Sequence, residues 1–191
     1  MAIFCPVVLT AGKFNRVLSV GDAAPRWAAL PGVDGTSKSL PDYAKADLVL
    51  VVFTCNHCPV AQAYEQRIIK LARRYKKSQL QVVAISCSRL KSDNLENMKQ
   101  RARDRKYGFD YLFDASQDTG RAYGATVTPH VFLLDRKRRV AYMGAIDDNL
   151  VPEQVEEHYV VDAIEAVLKG TKPDVVESRQ KGCPIDYRSS P

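Results

Sequence analysis

At 191 residues, with 46% hydrophobic and 26% charged content, the chain has the makeup of one folded domain with room for a sizeable core. No apolar run approaches the length of a membrane-spanning helix, and five cysteines are an odd count for a disulfide scaffold. The formal charge of +6 gathers in clusters at 73–77, 99–106 and 136–139, which read as solvated helix faces and a hairpin turn rather than a nucleic-acid footprint.

The first 17 residues read as an N-terminal arm or edge strand of a cytoplasmic protein. Their apolar opening has no basic leading region, and Pro6 breaks it. Segment 20–46 is rich in Gly, Pro and Asp, which predicts short extended pieces and turns, closing in a helical turn at Leu40-Pro41-Asp42-Tyr43. Residues 48–53 are an unbroken apolar run, the pattern of a strand buried on both faces. Val60, Tyr64, Ile68, Leu71, Ala72 and Tyr75 then recur at helical spacing, predicting a helix over about 59–77. A second strand follows at 81–85, parallel to the first across a right-handed crossover. A polar helix over 92–106 places Leu95, Met98 and Ala102 inward, and a short strand at 111–113 and a short helix at 117–123 come next. Residues 130–134 and 140–144 form an antiparallel hairpin around the basic turn. A final helix over 152–169 stops at Gly170, leaving a polar tail from 171 to 191. The domain proper is therefore 18–170.

Cys55-Asn56-His57-Cys58 falls where the first buried strand ends and a helix begins. A helix N-terminus offers free N–H groups and a positive dipole end, which favour a thiolate over a thiol. A structural zinc site needs two more closely spaced ligands, and Cys5, Cys87 and Cys183 stand apart from one another. Two merely buried cysteines are the other bland reading, but the polar Asn56 and His57, followed by Pro59, argue for a turn at a surface rim.

This order of elements, with Cys55-x-x-Cys58 on the first helix and Thr128-Pro129 before the hairpin, resembles the thioredoxin superfamily. Within it the chain is similar to the redoxin branch of alkyl-hydroperoxide-reductase-like and membrane-anchored thiol–disulfide proteins. The strand and helix at 111–123 correspond to that branch's insertion. It most resembles a peroxiredoxin-like group marked by Phe53-Thr54-Cys55-Asn56-His57-Cys58-Pro59, Ile146-Asp147-Asp148 and Gly182-Cys183. The resemblance implies an α/β thioredoxin fold with a central mixed sheet flanked by helices, a redoxin-type insertion and an N-terminal extension. Three departures stand out. Val52 and Leu48 occupy the positions where a peroxiredoxin has the Thr and Pro that activate peroxide. Val49 replaces the buried acid of thioredoxins, so the proton relay falls to Asp114, Gln117 or water. Ile185-Asp186-Tyr187 replaces a basic and aromatic ending.

The resemblance implies a thiol–disulfide oxidoreductase in which Cys55 attacks as a thiolate and Cys58 resolves the mixed disulfide. A thiol of ordinary pKa, about 8.5, needs roughly 2.7 kcal/mol of differential stabilisation to be mostly ionised at neutral pH, and a helix end supplies about 0.3–1 kcal/mol. His57 is the expected supplement, with a solvated turn residue as its bland reading. Pro129 is expected to be cis, setting Thr128 alongside Cys55 and leaving an edge for a substrate chain. Asn56, Thr128 and His130 complete the substrate side, His130 either facing the sulfurs or lying in the sheet. Cys87 is expected on the same rim as Cys55 or buried as a small core residue. Cys183, in a flexible tail, is a candidate for a regulatory disulfide. The expected partners are protein or small-molecule disulfides and dithiols together with a reductant, with no cofactor, nucleic acid or membrane. An atypical thiol-dependent peroxidase, and a copper or zinc module built on Cys55, Cys58 and His130, are the alternatives.

Overall fold

A computed structural model describes residues 12–75 and 79–189. The opening 11 residues, including Cys5 and the expected edge strand, lie outside them. In chain order the elements are β1 (Leu30–Pro31), β2 (Ser37–Lys38), β3 (Leu48–Phe53), α1 (Pro59–Arg74), β4 (Leu80–Ser86), α2 (Leu95–Arg105), β5 (Asp110–Phe113), α3 (Asp118–Ala122), β6 (Val127–Thr128), β7 (His130–Leu134), β8 (Val140–Gly144), α4 (Tyr159–Leu168) and β9 (Cys183–Pro184). A single 3-10 turn occupies Leu40–Tyr43, as the proline-bearing sequence predicts.

The central sheet runs β5-β4-β3-β7-β8, with β3, β4 and β5 parallel and β7 and β8 antiparallel. All six residues of β3 are buried, because the strand lies mid-sheet with both faces covered. Its even positions, Leu48, Leu50 and Val52, meet Tyr64, Ile68 and Leu71 of α1 and Val160 and Ile164 of α4. Its odd positions, Val49, Val51 and Phe53, meet Trp27, Leu40 and Tyr43 from the N-terminal segment and Tyr123 beyond α3. Each such large apolar side chain contributes roughly 1.5–3 kcal/mol by leaving water. Period-two alternation inside an unbroken apolar run thus builds two cores on one strand.

Polar side chains fix the layers relative to one another. The buried Glu65 on α1 binds Arg101 of α2 and accepts from the Tyr107 hydroxyl at 2.7 Å. In Ile146-Asp147-Asp148, Ile146 enters the core, and Asp147 pairs with Arg67 at 2.6 Å and accepts from the Tyr64 hydroxyl at 2.7 Å. The basic turn is turned inward on the chain's own carbonyls: Arg138 donates to Tyr43 O and Ala46 O, and Arg139 to Gly21 O.

The final helix is shorter than its spacing predicts. It begins at Tyr159, and residues 152–154 form only a 3-10 turn. Asp148 Oδ1 accepts the N–H groups of Glu156 and Glu157, at 3.1 and 3.2 Å, which draws that stretch away from helical bonding. The tail is also not a loose end. Met143 N donates to Val176 O, and Ser178 N donates to Met143 O, so the tail first runs along β8 and then crosses to pair β9 with β6. Among the described residues no helix is long and apolar enough to cross a membrane.

Replacing Arg67 by Met leaves the Asp147 carboxylate buried without its cation. Urea unfolding is expected to show a loss of about 3 kcal/mol. A loss below about 1 kcal/mol would show that the pair does not tie α1 to the 146–149 segment.

Candidate active site

Parallel strands β3 and β4 end on the same sheet edge, and the connections leaving them meet there. The connection after β3 carries Cys55 to Cys58; the one after β4 carries Cys87, Ser88 and Asp93. Asp93 is fully buried and organises this edge. Its Oδ1 accepts from the backbone N–H groups of Asn56 at 2.6 Å and His57 at 3.0 Å, and its Oδ2 accepts from Ser88 Oγ at 2.6 Å and lies 2.5 Å from His57 Nδ1. One carboxylate therefore shapes the loop between the two cysteines. Sequence reasoning missed it; the available signal was its place in the connection after the second parallel strand.

Helix α1 begins one residue after Cys58, which is itself the N-cap, so the helix tip serves Cys58 rather than Cys55. Ala61 N–H donates to the Cys58 sulfur at 3.4 Å. Burial pushes the Cys58 thiol up, but hydrogen bonds with Cys183, Ala61 and Thr128 outweigh it and leave its pKa lowered. Cys55 behaves the other way. Burial, reinforced by the charges of Asp93 and Cys58, pushes its thiol up to about 12 despite the hydrogen bond with Thr128. The expectation of a thiolate at Cys55 supplemented by His57 is thus corrected. Burial outweighs the Thr128 hydroxyl and the backbone N–H of Cys58 at Cys55, and the His57 ring is held on Asp93.

Thr128 lies against both cysteines: its Oγ1 is 3.2 Å from Cys55 Sγ, and its carbonyl oxygen is 3.1 Å from Cys58 Sγ. The Thr128–Pro129 peptide bond is cis. Cys87, expected on this rim or in the core, is both. It is 2% exposed, and it lines a cavity of about 100 Å³ together with Cys55, His57, Arg89, Leu90 and Thr128. Burial, with Asp114 nearby, pushes the Cys87 thiol to about 12.

Several expected roles are not met. Asn56 is buried; its side-chain amide donates to Ser92 O at 3.1 Å and accepts from the Tyr111 hydroxyl at 3.1 Å, so it anchors the loop instead of facing substrate. His130 lies in the sheet opposite Phe53, 1% exposed, with its ring centroid 4.5 Å from that of Phe132. Burial lowers its pKa to about 3. It therefore takes no substrate contact and joins no site with Cys55 and Cys58. Among the described residues the group with metal-compatible spacing is Cys55, His57 and Asp93, whose ligand atoms lie within 4.8 Å of one another. Asp93 is already occupied there by two N–H groups, Ser88 and His57. Neither candidate relay reaches Cys58. Asp114 accepts from Gly120 N and Ser116 Oγ, while Gln117 donates to Cys87 O and to Asp186 O. The expected open edge beside Thr128 is occupied too, since β9 pairs there with Cys183 opposite Thr128.

Two outcomes follow. Asp93→Asn is expected to lower stability by about 2 kcal/mol, because its hydrogen bonds lose their charged acceptor, and to speed alkylation of Cys55 as the loop loosens; unchanged stability and labelling would deny Asp93 its organising role. Cys87 has a folded pKa above the ordinary thiol value, so its contribution to stability is complete below about pH 9 and is lost as pH rises from 9 toward 12. Between pH 8 and pH 10 the wild-type chain should therefore lose about 1 kcal/mol more than Cys87→Ala in urea unfolding. Equal losses would refute the shift.

Comparison with known proteins places these features in context. The AhpC/TSA family model matches residues 20–143. A hypothetical protein of Sinorhizobium meliloti 1021 is 31% identical, with a TM-score of 0.83 over 92% of this chain and 98% of that one. An uncharacterized conserved protein of Geobacillus kaustophilus is 30% identical, with a TM-score of 0.82 over 93% and 96%. A Chlorobium tepidum protein provisionally described as the thiol:disulfide interchange protein DsbE is 28% identical, with a TM-score of 0.57 over 66% and 84%. Among curated proteins no relative matches. The sheet order and flanking helices are those of the thioredoxin fold.

Proposed function

The chain belongs to the AhpC/TSA family, and on that premise we propose that it is a thiol–disulfide oxidoreductase working through Cys55 and Cys58. The observation that carries this reading is the shared position of the two sulfurs against Thr128, one on its hydroxyl and one on its carbonyl oxygen. Cys55 lines the cavity and is where a substrate sulfur meets the protein, whereas Cys58 is fully buried.

In the forward direction Cys55 loses its proton and attacks one sulfur of a substrate disulfide. The S–S bond breaks, one thiol leaves, and a mixed disulfide remains on Cys55. The Cys58 thiolate then attacks Cys55 Sγ and releases the second thiol. The protein is oxidised by two electrons and the substrate is reduced by two. The lowered pKa of Cys58 suits this second step, since it eases loss of the proton from the resolving sulfur. Ionisation of Cys55 is the demanding step, because its surroundings favour the thiol. The natural substrates on this reading are protein or small-molecule disulfides, or dithiols in the reverse direction.

Reduction of insulin disulfides with dithiothreitol as electron source tests the reading. Cys55→Ser and Cys58→Ser are each expected to lower turnover by roughly two orders of magnitude or more, as loss of an essential nucleophile does. With the third thiol removed in Cys183→Ala, peptide 46–67 of the oxidised chain should carry an internal disulfide. Hydroperoxide turnover without disulfide exchange would support the peroxidase reading instead, and full activity of either variant would end the proposal.

A further inference from the structure

The third thiol of the site comes from the tail. Strand β9 pairs antiparallel with β6, placing Cys183 opposite Thr128. Ile185 N donates to Thr126 O at 3.0 Å, extending the pairing by one residue. Gly182 lies so close to the Thr128 carbonyl that a Cβ there would collide with it. Cys183 packs, half-buried, on the cluster of Cys55, Cys58 and Ala61. The two thiols shift each other in opposite directions, the proton being held on Cys183 and more easily lost from Cys58.

The rest of the tail fastens this strand down. The Tyr187 hydroxyl donates to Ala125 O at 2.8 Å, and Arg121 lies 4.7 Å from the centroid of the Tyr187 ring. Gln117 donates to Asp186 O at 2.9 Å and accepts from Arg188 N at 2.9 Å. Pro184, Ile185 and Asp186 form one wall of the cavity that holds Cys55 and Cys87. Main-chain pairing to an exposed sheet edge, with one side chain delivered to a pocket, is how an extended peptide is recognised. The chain presents itself in that way.

We propose that Cys183 is a redox thiol of this site, held by β9 in the place of a substrate strand, and that it exchanges into a Cys58–Cys183 disulfide. The proposal rests on the Cys55/Cys58 reading above and deepens it by naming an internal acceptor. Once a substrate disulfide has been reduced, the oxidised protein holds a Cys55–Cys58 bond. Cys183 gives its proton to solvent, and its sulfur attacks Cys58 Sγ. The Cys58–Cys55 bond breaks, and its electron pair stays on Cys55, which takes up a proton. No net oxidation occurs in this step; the disulfide moves one position and Cys55 is a free thiol again. The Cys58 thiol is foremost among the causes that hold the proton on Cys183, and its influence is lost when Cys58 enters a disulfide, so attack becomes easier at the moment it is needed. The product bond joins the buried Cys58 to the half-exposed Cys183, and that is where an external reductant would reach it.

The test is mass spectrometry of the full chain after treatment with oxidised glutathione, alkylation of the remaining thiols and non-reducing trypsin digestion of the monomer. Peptide 46–67 holds both Cys55 and Cys58, and peptide 182–188 holds Cys183. The expected product is 46–67 linked to 182–188 through Cys58, retained in Cys55→Ser and lost in Cys58→Ser. An internal disulfide in 46–67 with 182–188 wholly alkylated would overturn this proposal and leave the oxidoreductase reading standing. A bridge from Cys183 to Cys55 would overturn it as well, and 46–67 with both thiols alkylated would remove both. Gly182→Val supplies a second arm. With the fold checked by circular dichroism, it is expected to suppress the cross-link severalfold while the Cys55–Cys58 disulfide still forms. A cross-link at the wild-type rate in that variant would show that strand docking does not create the juxtaposition.

Discussion

Everything in the site is arranged around Thr128. Its hydroxyl meets Cys55, its carbonyl meets Cys58, and its backbone pairs with the strand bearing Cys183. A single residue ahead of a cis proline can do this because β6 lies outside the central sheet, where it pairs with β9 alone. The hydroxyl matters chemically, since it can donate to a Cys55 thiolate or accept from the thiol. The carbonyl can only accept, so it favours Cys58 in its protonated form, in opposition to the helix N-terminus on the other side of the same sulfur.

That opposition explains why the two cysteines differ. Cys58 caps α1 and has several partners around its sulfur, whereas Cys55 sits three residues earlier, where burial and the neighbouring Asp93 and Cys58 outweigh its hydrogen bonds. Asp93 cuts both ways. It holds the loop in shape through four hydrogen-bonding partners, and its charge makes the neighbouring thiol harder to ionise. The geometry that brings the two sulfurs together is thus maintained at a cost to the reactivity of the first.

Much of the architecture was legible in the residues. The apolar run of β3, the stripe of α1, the β7–β8 hairpin and the parallel pairing of β3 with β4 follow from periodicity and connection rules, and they emerge within a few residues of the expected bounds. The order of motifs was enough to indicate the thioredoxin fold. What escaped detection depended on contacts distant in sequence. Asp148 shortens α4 by binding the amides of Glu156 and Glu157, an effect invisible to hydrophobic spacing. Asp93 lies 36 residues beyond His57, and no local pattern marks a carboxylate that folds back onto a loop. His130 and Asn56, polar residues next to the key motifs, are consumed by the sheet and by loop anchoring. The tail is the clearest case. Gly182-Cys183 was visible as a motif, but nothing along the chain announces that it pairs with Thr128.

The pairing of β9 with β6 also bears on how the molecule meets its neighbours. An unpaired strand edge exposes main-chain donors and acceptors to any passing chain, which is a route to self-association. Here that edge is sealed from within by the protein's own C-terminal segment, with the ring of Tyr187 seated beside Gly120 as a latch. The same few residues that carry a sulfur to the reactive centre therefore act as a plug over an adhesive surface, and a chain clipped before residue 182 would lose its guard against aggregation together with its third thiol.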